Sequence, residues 1–235
     1  MPRFAFAGWV LVVSLAAVSA QSPKAAKGPL DAVPGYTKVT IEGFTVLVAD
    51  EATNADTSKY ERKPMAVLEL ELKTISGMLN EKTLKLLQKL PVWVEWDETR
   101  QLGNGRAGGA VAVYYGGHQA NLLADGKHPL KSKTVTILSL RSLTAEHQPK
   151  TDSGRCILLH EFAHAVHDQL VGRENPAVKA AYRQAMERKL YDKEAYLATN
   201  DAEFFAELTC AYFDQLGTYP RTRDELKKHD AVGYK

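Results

Sequence analysis

The chain has 235 residues, of which 45% are hydrophobic and 25% are charged, as is typical of a globular protein with a sizeable core. This composition excludes disorder over most of the chain. The 30 basic and 28 acidic residues nearly cancel, and no basic block stands out, so nothing indicates a nucleic acid or an acidic membrane surface as partner.

The N-terminal segment has the pattern of an export signal. A short basic start is followed by the uncharged apolar run Phe4–Val18 and by small residues up to Ala20. This pattern predicts a secretory signal peptide over residues 1–20 and a secreted or periplasmic protein. The alternative is a membrane anchor, for which the apolar run is short. Residues 21–35 are rich in Ala, Lys, Pro and Gly and predict a flexible lead-in.

Strands and helices alternate in the first half of the chain. Alternating apolar and polar residues from Tyr36 to Val48 predict a β-hairpin that turns at Glu42-Gly43. Pro64 begins a helical pattern, and a second helix is predicted after the cap Asn80, from 81 to 90. Further strands are predicted at residues 92–96, 110–115 and 134–140.

The rest of the chain contains a glycine-rich loop and a helical second half. The glycines between Gly103 and Gly109 match no phosphate-binding pattern, so they do not predict a nucleotide site. Everything after Asp152 has a helical pattern. This order predicts one α+β domain over residues 36–235, with a mixed β-sheet and a helical C-terminal half.

One motif has the spacing of a metal site. His160 and His164 are four residues apart, so on a helix both imidazoles lie on one face and can bind one metal ion. Glu161 can then reach a metal-bound water and accept its proton. The alternative is a chance match on a surface helix. The surrounding residues are apolar, however, and these three polar groups would be costly there without a partner.

A second cluster offers the third ligand that a catalytic zinc needs. Glu203 and Glu207 are again four residues apart on a predicted apolar helix. One carboxylate can bind zinc, and the other can accept the free N–H of a ligating histidine. The alternative is a solvated acidic face.

Two further histidines are not expected to bind the metal. His167 lies on the same helix as His160, and no glycine breaks the helix between them. Three ligands in one row cannot surround a tetrahedral ion, so His167 is predicted to have a structural role. His118 follows two glycines and is interpreted as a surface histidine.

Cys156 and Cys210 are the two cysteines of the chain. In an oxidising compartment they can form a disulfide between the two helices of the site. The alternative is two separate buried thiols.

The two motifs together resemble those of a known family. The residues that carry the resemblance are His160-Glu161-Phe162-Ala163-His164 and Tyr196-x-x-x-Asn200-x-x-Glu203-Phe204-Phe205-Ala206-Glu207. They look like the anthrax lethal factor-related zinc metallopeptidases, a zincin group that includes secreted bacterial Pro-Pro endopeptidases. The similarity covers roughly residues 154–216, and its second half is the more specific. The chain lacks the large accessory domains of the toxins.

The resemblance implies a zincin-like fold and one Zn²⁺ per chain. His160, His164 and Glu203 would be the zinc ligands, and Glu207 would support a ligand. It also implies that residues 134–138 form the strand at the upper edge of the cleft, where a peptide could bind by strand addition. The alternative is an ordinary core strand.

The same resemblance assigns catalytic roles. Glu161 would be the general base, and Tyr196 would bind the oxyanion. The expected activity is hydrolysis of peptide bonds in a protein or peptide substrate. The alternatives are a non-catalytic zinc- or peptide-binding domain and a zinc hydrolase of a non-peptide amide. The sequence specifies neither the cleavage preference nor the oligomeric state.

Overall fold

The computed structural model describes residues 28–98 and 110–235. The predicted signal peptide, residues 1–20, and the glycine loop of residues 103–109 lie outside these ranges. Of the predicted lead-in, residues 28–35 form turns, and Val33 packs against Leu47 and Trp93. Within the described ranges, no helix combines the length and the hydropathy needed to cross a bilayer.

The described strands form one mixed five-stranded sheet in the order β1-β2-β3-β5-β4. They are β1 Tyr36–Ile41, β2 Phe44–Ala49, β3 Val92–Val94, β4 Ala112–Tyr114 and β5 Val135–Ile137. The predicted hairpin is confirmed, since β1 and β2 are antiparallel and turn at Glu42 and Gly43, which both have positive φ. Strands β2, β3 and β5 run parallel, and β4 is antiparallel to β5.

Among the described strands, β4 and not β5 forms the edge of the sheet next to the helix α6, Ile157–Val166. β5 pairs with β3 on one side and with β4 on the other, and Thr136 at its centre is fully buried. Residues 134–138 therefore form a core strand, and their prediction as an edge strand is wrong. Pairing on both sides leaves β5 no free backbone groups for a further strand.

Helices pack against the sheet and predominate in the second half of the chain. They are α1 Asp50–Asn54, α2 Pro64–Met78, α3 Glu81–Leu87, α4 Gln119–Ala124, α5 Leu140–Glu146, α6 Ile157–Val166, α7 Pro176–Glu187, α8 Asp201–Tyr212 and α9 Arg223–His229. The α+β class is thus confirmed. Asn80 caps α3 as predicted, although α3 ends at Leu87 rather than at residue 90. The predicted strand 134–140 stops at Ile137, and Leu140 begins α5.

The main core lies between one face of the sheet and the helices α2, α5, α6 and α8. Helix α6 packs against β4 and β5, and α8 packs against α6. Phe162 of α6 contacts Phe44 of β2, with ring centroids 5.3 Å apart. This packing fixes α6 between the edge strand and α8, and these three elements carry the candidate site.

Candidate metal centre

Helix α6 is buried along nearly all of its length. All residues from Ile157 to Ala163 are buried, and His160 is 4% exposed. The sequence places His160 and His164 on one face, and their rings stand edge to face with centroids 4.6 Å apart. The apolar residues around them thus anchor a helix that presents two imidazoles to one point.

Three side-chain atoms that could bind a metal ion converge beside this helix. His160 Nε2 lies 3.0 Å from His164 Nε2, and Glu203 Oε2 lies 3.1 Å from the first and 3.3 Å from the second. A tetrahedral zinc with bonds of about 2.0–2.1 Å separates its ligand atoms by about 3.3 Å. Among the described residues, these are the only His, Cys, Asp or Glu side chains that group closely enough to hold a metal ion.

Helix α8 supplies both acidic residues. Its N-cap Asn200 accepts hydrogen bonds from the N–H groups of Ala202 and Glu203, which fixes the first turn. One turn later, Glu207 Oε1 lies 2.8 Å from His160 Nδ1 and is almost completely buried. Glu207 therefore orients the His160 ring so that Nε2 faces the other ligand atoms.

The charges around His160 favour a cation at this point. Burial alone would lower the pKa of His160, but the neighbouring Cys210, Glu203 and Glu207 side chains raise it to about 12. Burial would raise the pKa of Glu203, but the contacts with His160 and His164 keep it far below its usual range. A proton on His160 and a divalent metal ion would each neutralise part of the negative charge of Glu203 and Glu207.

Glu161 is buried beside His160 and His164 and is hydrogen-bonded to the sheet. The Tyr114 N–H of β4 donates a 2.7 Å hydrogen bond to Glu161 Oε2. Burial raises the pKa of Glu161, although the charges of His160 and His164 act in the opposite direction. A carboxylate with a raised pKa next to a metal position has the properties of a general base.

Strand β4 turns backbone groups toward the same cavity. The backbone groups of Val111 and Tyr115 hydrogen-bond to residues that flank β5. In an antiparallel pair, residues whose backbone groups face the partner strand alternate with residues whose groups face away. The N–H and C=O of Ala112 therefore face away from β5. Ala112 lines a cavity of about 640 Å³ together with His160 and Glu161. An extended peptide can pair with this edge.

Tyr196 stands at the mouth of this cavity. It begins a 3-10 turn, Tyr196–Ala198, just before α8. Its ring centroid lies 5.8 Å from that of His160, and the side chain is half exposed. Burial and the charge of Glu203 raise the pKa of Tyr196, so the phenol remains a proton-bearing donor at neutral pH.

His167 and His118 lie away from the ligand atoms. After Val166, helix α6 widens into a π-helical turn, His167–Val171, which the sequence analysis did not predict. His167 is buried there and stacks on Phe205, with centroids 4.7 Å apart. His118 is exposed at the start of α4.

Both cysteines are free, so the expected disulfide is absent from this structure. Each thiol has a polar neighbour of its own. Cys156 Sγ lies 3.1 Å from Glu71 Oε2. Burial raises the pKa of the Cys210 thiol, and nearby His160 acts in the opposite direction. The alternative of two buried thiols is the correct one.

Residues that the sequence analysis missed complete the site. Arg155 precedes α6 and lines the cavity, and Ala112 and Tyr114 contribute through their backbones. No local motif in a sequence marks a backbone contact. The position of Arg155, five residues before His160, could have indicated a cation near the site. Comparisons of the chain with protein-family models, with curated proteins and with solved structures found no match.

Proposed function

We propose that this protein is a zinc-dependent metallopeptidase with a zincin-like fold that hydrolyses peptide bonds. The observation that carries the proposal is the convergence of His160 Nε2, His164 Nε2 and Glu203 Oε2 at 3.0–3.3 Å beside a buried glutamate. Two histidines and one glutamate form the ligand set of a catalytic zinc that keeps a position open. The resemblance to the lethal factor-related peptidases supports the same assignment.

The residues divide the chemical work between them. When bound, zinc supplies the Lewis acidity that activates water and polarises a carbonyl. Glu161 accepts the proton of the attacking water and passes it to the leaving amine. The Tyr196 hydroxyl donates to the oxyanion that develops on the substrate. Ala112 holds the substrate backbone in an extended conformation.

Two observations favour a peptidase over the other functions considered. A zinc- or peptide-binding domain has no need for a carboxylate buried next to the metal, because burying it costs free energy. A hydrolase of small amides has no need for an edge strand with outward backbone groups along the cavity. We further propose that the protein is exported, on the pattern of residues 4–20.

Zinc binding distinguishes the two acidic residues of α8. The purified protein is expected to hold one zinc per chain. Glu203→Gln replaces an anionic candidate ligand with a neutral, weakly binding amide, whereas Glu207→Gln changes only the group beside His160 Nδ1. Glu207→Gln should weaken the zinc affinity by about 10–100-fold, as is usual for such supporting residues, and Glu203→Gln should weaken it further. Competition with a chromophoric chelator measures both affinities. Equal affinities for the wild type and Glu203→Gln would remove Glu203 from the site.

Tyr196→Phe tests the oxyanion role. Loss of one donor aimed at the oxyanion should lower kcat by about 10²–10³-fold and leave KM nearly unchanged. Steady-state kinetics on a peptide substrate separates the two constants. Tyr191→Phe is the matched control, because the Tyr191 hydroxyl bonds to Asp230 outside the cavity. A change in KM alone would contradict the oxyanion role.

A further inference from the structure

Arg155 lines the same cavity as the candidate metal site. It immediately precedes Cys156, the N-cap of α6, and lies in the cavity wall with Ile157 and Leu216. Its side chain is 35% exposed. A cation is therefore placed in the wall of the cleft and is open to whatever the cleft binds.

The hydrogen-bonding capacity of this guanidinium is largely unused. Its one ion pair within the described residues is with Glu207 Oε1, at 3.7 Å, which is beyond hydrogen-bond distance. That oxygen already lies 2.8 Å from His160 Nδ1. Arg155 Nε is buried and has no hydrogen-bond partner. Glu146 also lines the cavity, but it is exposed and makes no ion pair with Arg155.

The free donors match one chemical group in particular. An arginine guanidinium presents its N–H groups as a planar fork that binds a carboxylate through two parallel hydrogen bonds. The guanidinium of Arg155 lies 3.7 Å from Glu207 Oε1, and that oxygen lies 2.8 Å from the His160 ring at Nδ1. An extended peptide advances about 3.3–3.6 Å per residue, so Arg155 lies within about three residues of the metal position.

We propose that Arg155 makes this cleft select substrates that carry a carboxylate within three residues of the scissile bond. The carboxylate belongs either to an Asp or Glu side chain or to the C-terminus of the substrate. This inference rests on the proposed peptidase function, whose substrate class it specifies. Substrate carboxylates complete the hydrogen bonding of Arg155, and neutral peptides leave its donors unpaired in the cleft.

Peptide hydroxamates test the selection by binding, without any need for turnover. The hydroxamate binds the zinc-loaded protein at the metal. The probes form matched pairs. In one series, each of the three residues next to the hydroxamate in turn is Glu in one probe and Gln in its twin. In a further pair, one probe ends in a free carboxylate and the other in an amide. Calorimetry should show that at least one charged probe binds on the order of tenfold more tightly than its neutral twin. The position series and the terminal pair distinguish the two sources of the carboxylate.

Variants identify the residue responsible. Arg155→Gln should abolish the difference between charged and neutral probes, and Arg155→Lys should retain part of it. Arg188→Gln is the matched control, because Arg188 is exposed at the end of α7, outside the cavity. Zinc content is measured for each variant, so that a lost metal is not mistaken for lost selectivity.

Three results would overturn the inference. The first is equal affinity of charged and neutral probes for the wild type, and the second is failure of every probe to bind. The third is an equal weakening of all probes by Arg155→Gln, which would show that Arg155 acts on His160 through Glu207. Hydrolysis of the corresponding peptides is measured separately. Charge selection without hydrolysis would refute the peptidase function, and only the binding of ligand carboxylates by Arg155 would remain.

Discussion

Replacement of Glu161 by glutamine is expected to reduce peptide hydrolysis by about 10²–10⁴-fold while the fold and the metal site remain intact. The amide oxygen can still accept the hydrogen bond from Tyr114 N–H, so the side chain keeps its place. It cannot accept a proton from water, because an amide is not basic at neutral pH. Zinc stays bound, since Glu161 contributes no ligand atom.

The measurement compares kcat/KM, zinc content and the midpoint of thermal unfolding in wild type and variant. Glu146→Gln is the matched control, because Glu146 is an exposed carboxylate that lines the same cavity. Glu146→Gln should retain most of the activity. Near-normal turnover by Glu161→Gln, with zinc bound, would contradict the role of Glu161 as general base and leave the metal site itself unaffected.

The parts of the site that the sequence predicted depend on local geometry. Residues four apart on a helix share a face whatever the rest of the fold does, so the spacing of His160 and His164 was enough to predict a shared metal position. Glu203 and Glu207 follow the same rule. The roles proposed for them had to come from the resemblance, because spacing alone does not distinguish a carboxylate that could bind metal from one that could orient His160.

The parts that the sequence did not predict depend on contacts between distant segments. Residues 134–138 have the composition of a strand, but whether a strand lies at the edge depends on pairing with β3 and β4. The thiol of Cys156 contacts Glu71 on α2, and Cys210 lies near His160 of α6; no spacing rule reveals either neighbour. The π-helical turn at His167 has no glycine or proline to predict it.

Glu71 of α2 contacts the start of α6, the helix that carries His160 and His164. This buried side chain is 1% exposed, and its carboxylate accepts hydrogen bonds from Ile157 N–H at 3.0 Å and Leu158 N–H at 2.8 Å. His147 Nε2 lies 2.7 Å from Oε1 of the same carboxylate. Burial alone would lower the pKa of His147, but the hydrogen bond to Glu71 and the charges of Glu71 and Asp152 raise it. Glu71 and His147 therefore form a buried ion pair at the N-terminus of α6.

Glu71→Ala is consequently expected to lower the free energy of unfolding by about 3–5 kcal/mol. The substitution leaves the buried His147 ring and two helix N–H groups without their acceptor, and it removes a negative charge from the positive end of α6. A loss of this size is a large part of the stability of an average domain, about 5–15 kcal/mol. Urea unfolding at pH 6, where His147 is protonated, measures it, with a chelator present so that zinc binding does not contribute.

The neighbouring residue Glu69 provides the control that separates this anchor from a general effect of charge on α2. Glu69 lies on the same helix and is exposed, so Glu69→Ala should change the free energy of unfolding by no more than about 0.5 kcal/mol. Glu71→Gln should fall between the two, because its amide oxygen can still accept from α6 but carries no charge to pair with His147. Losses of similar size for Glu69→Ala and Glu71→Ala would show that Glu71 does not anchor α6. A selective loss for Glu71→Ala would mean that the start of α6, one turn before His160, is stabilised by a carboxylate that lies 89 residues before that histidine in the chain.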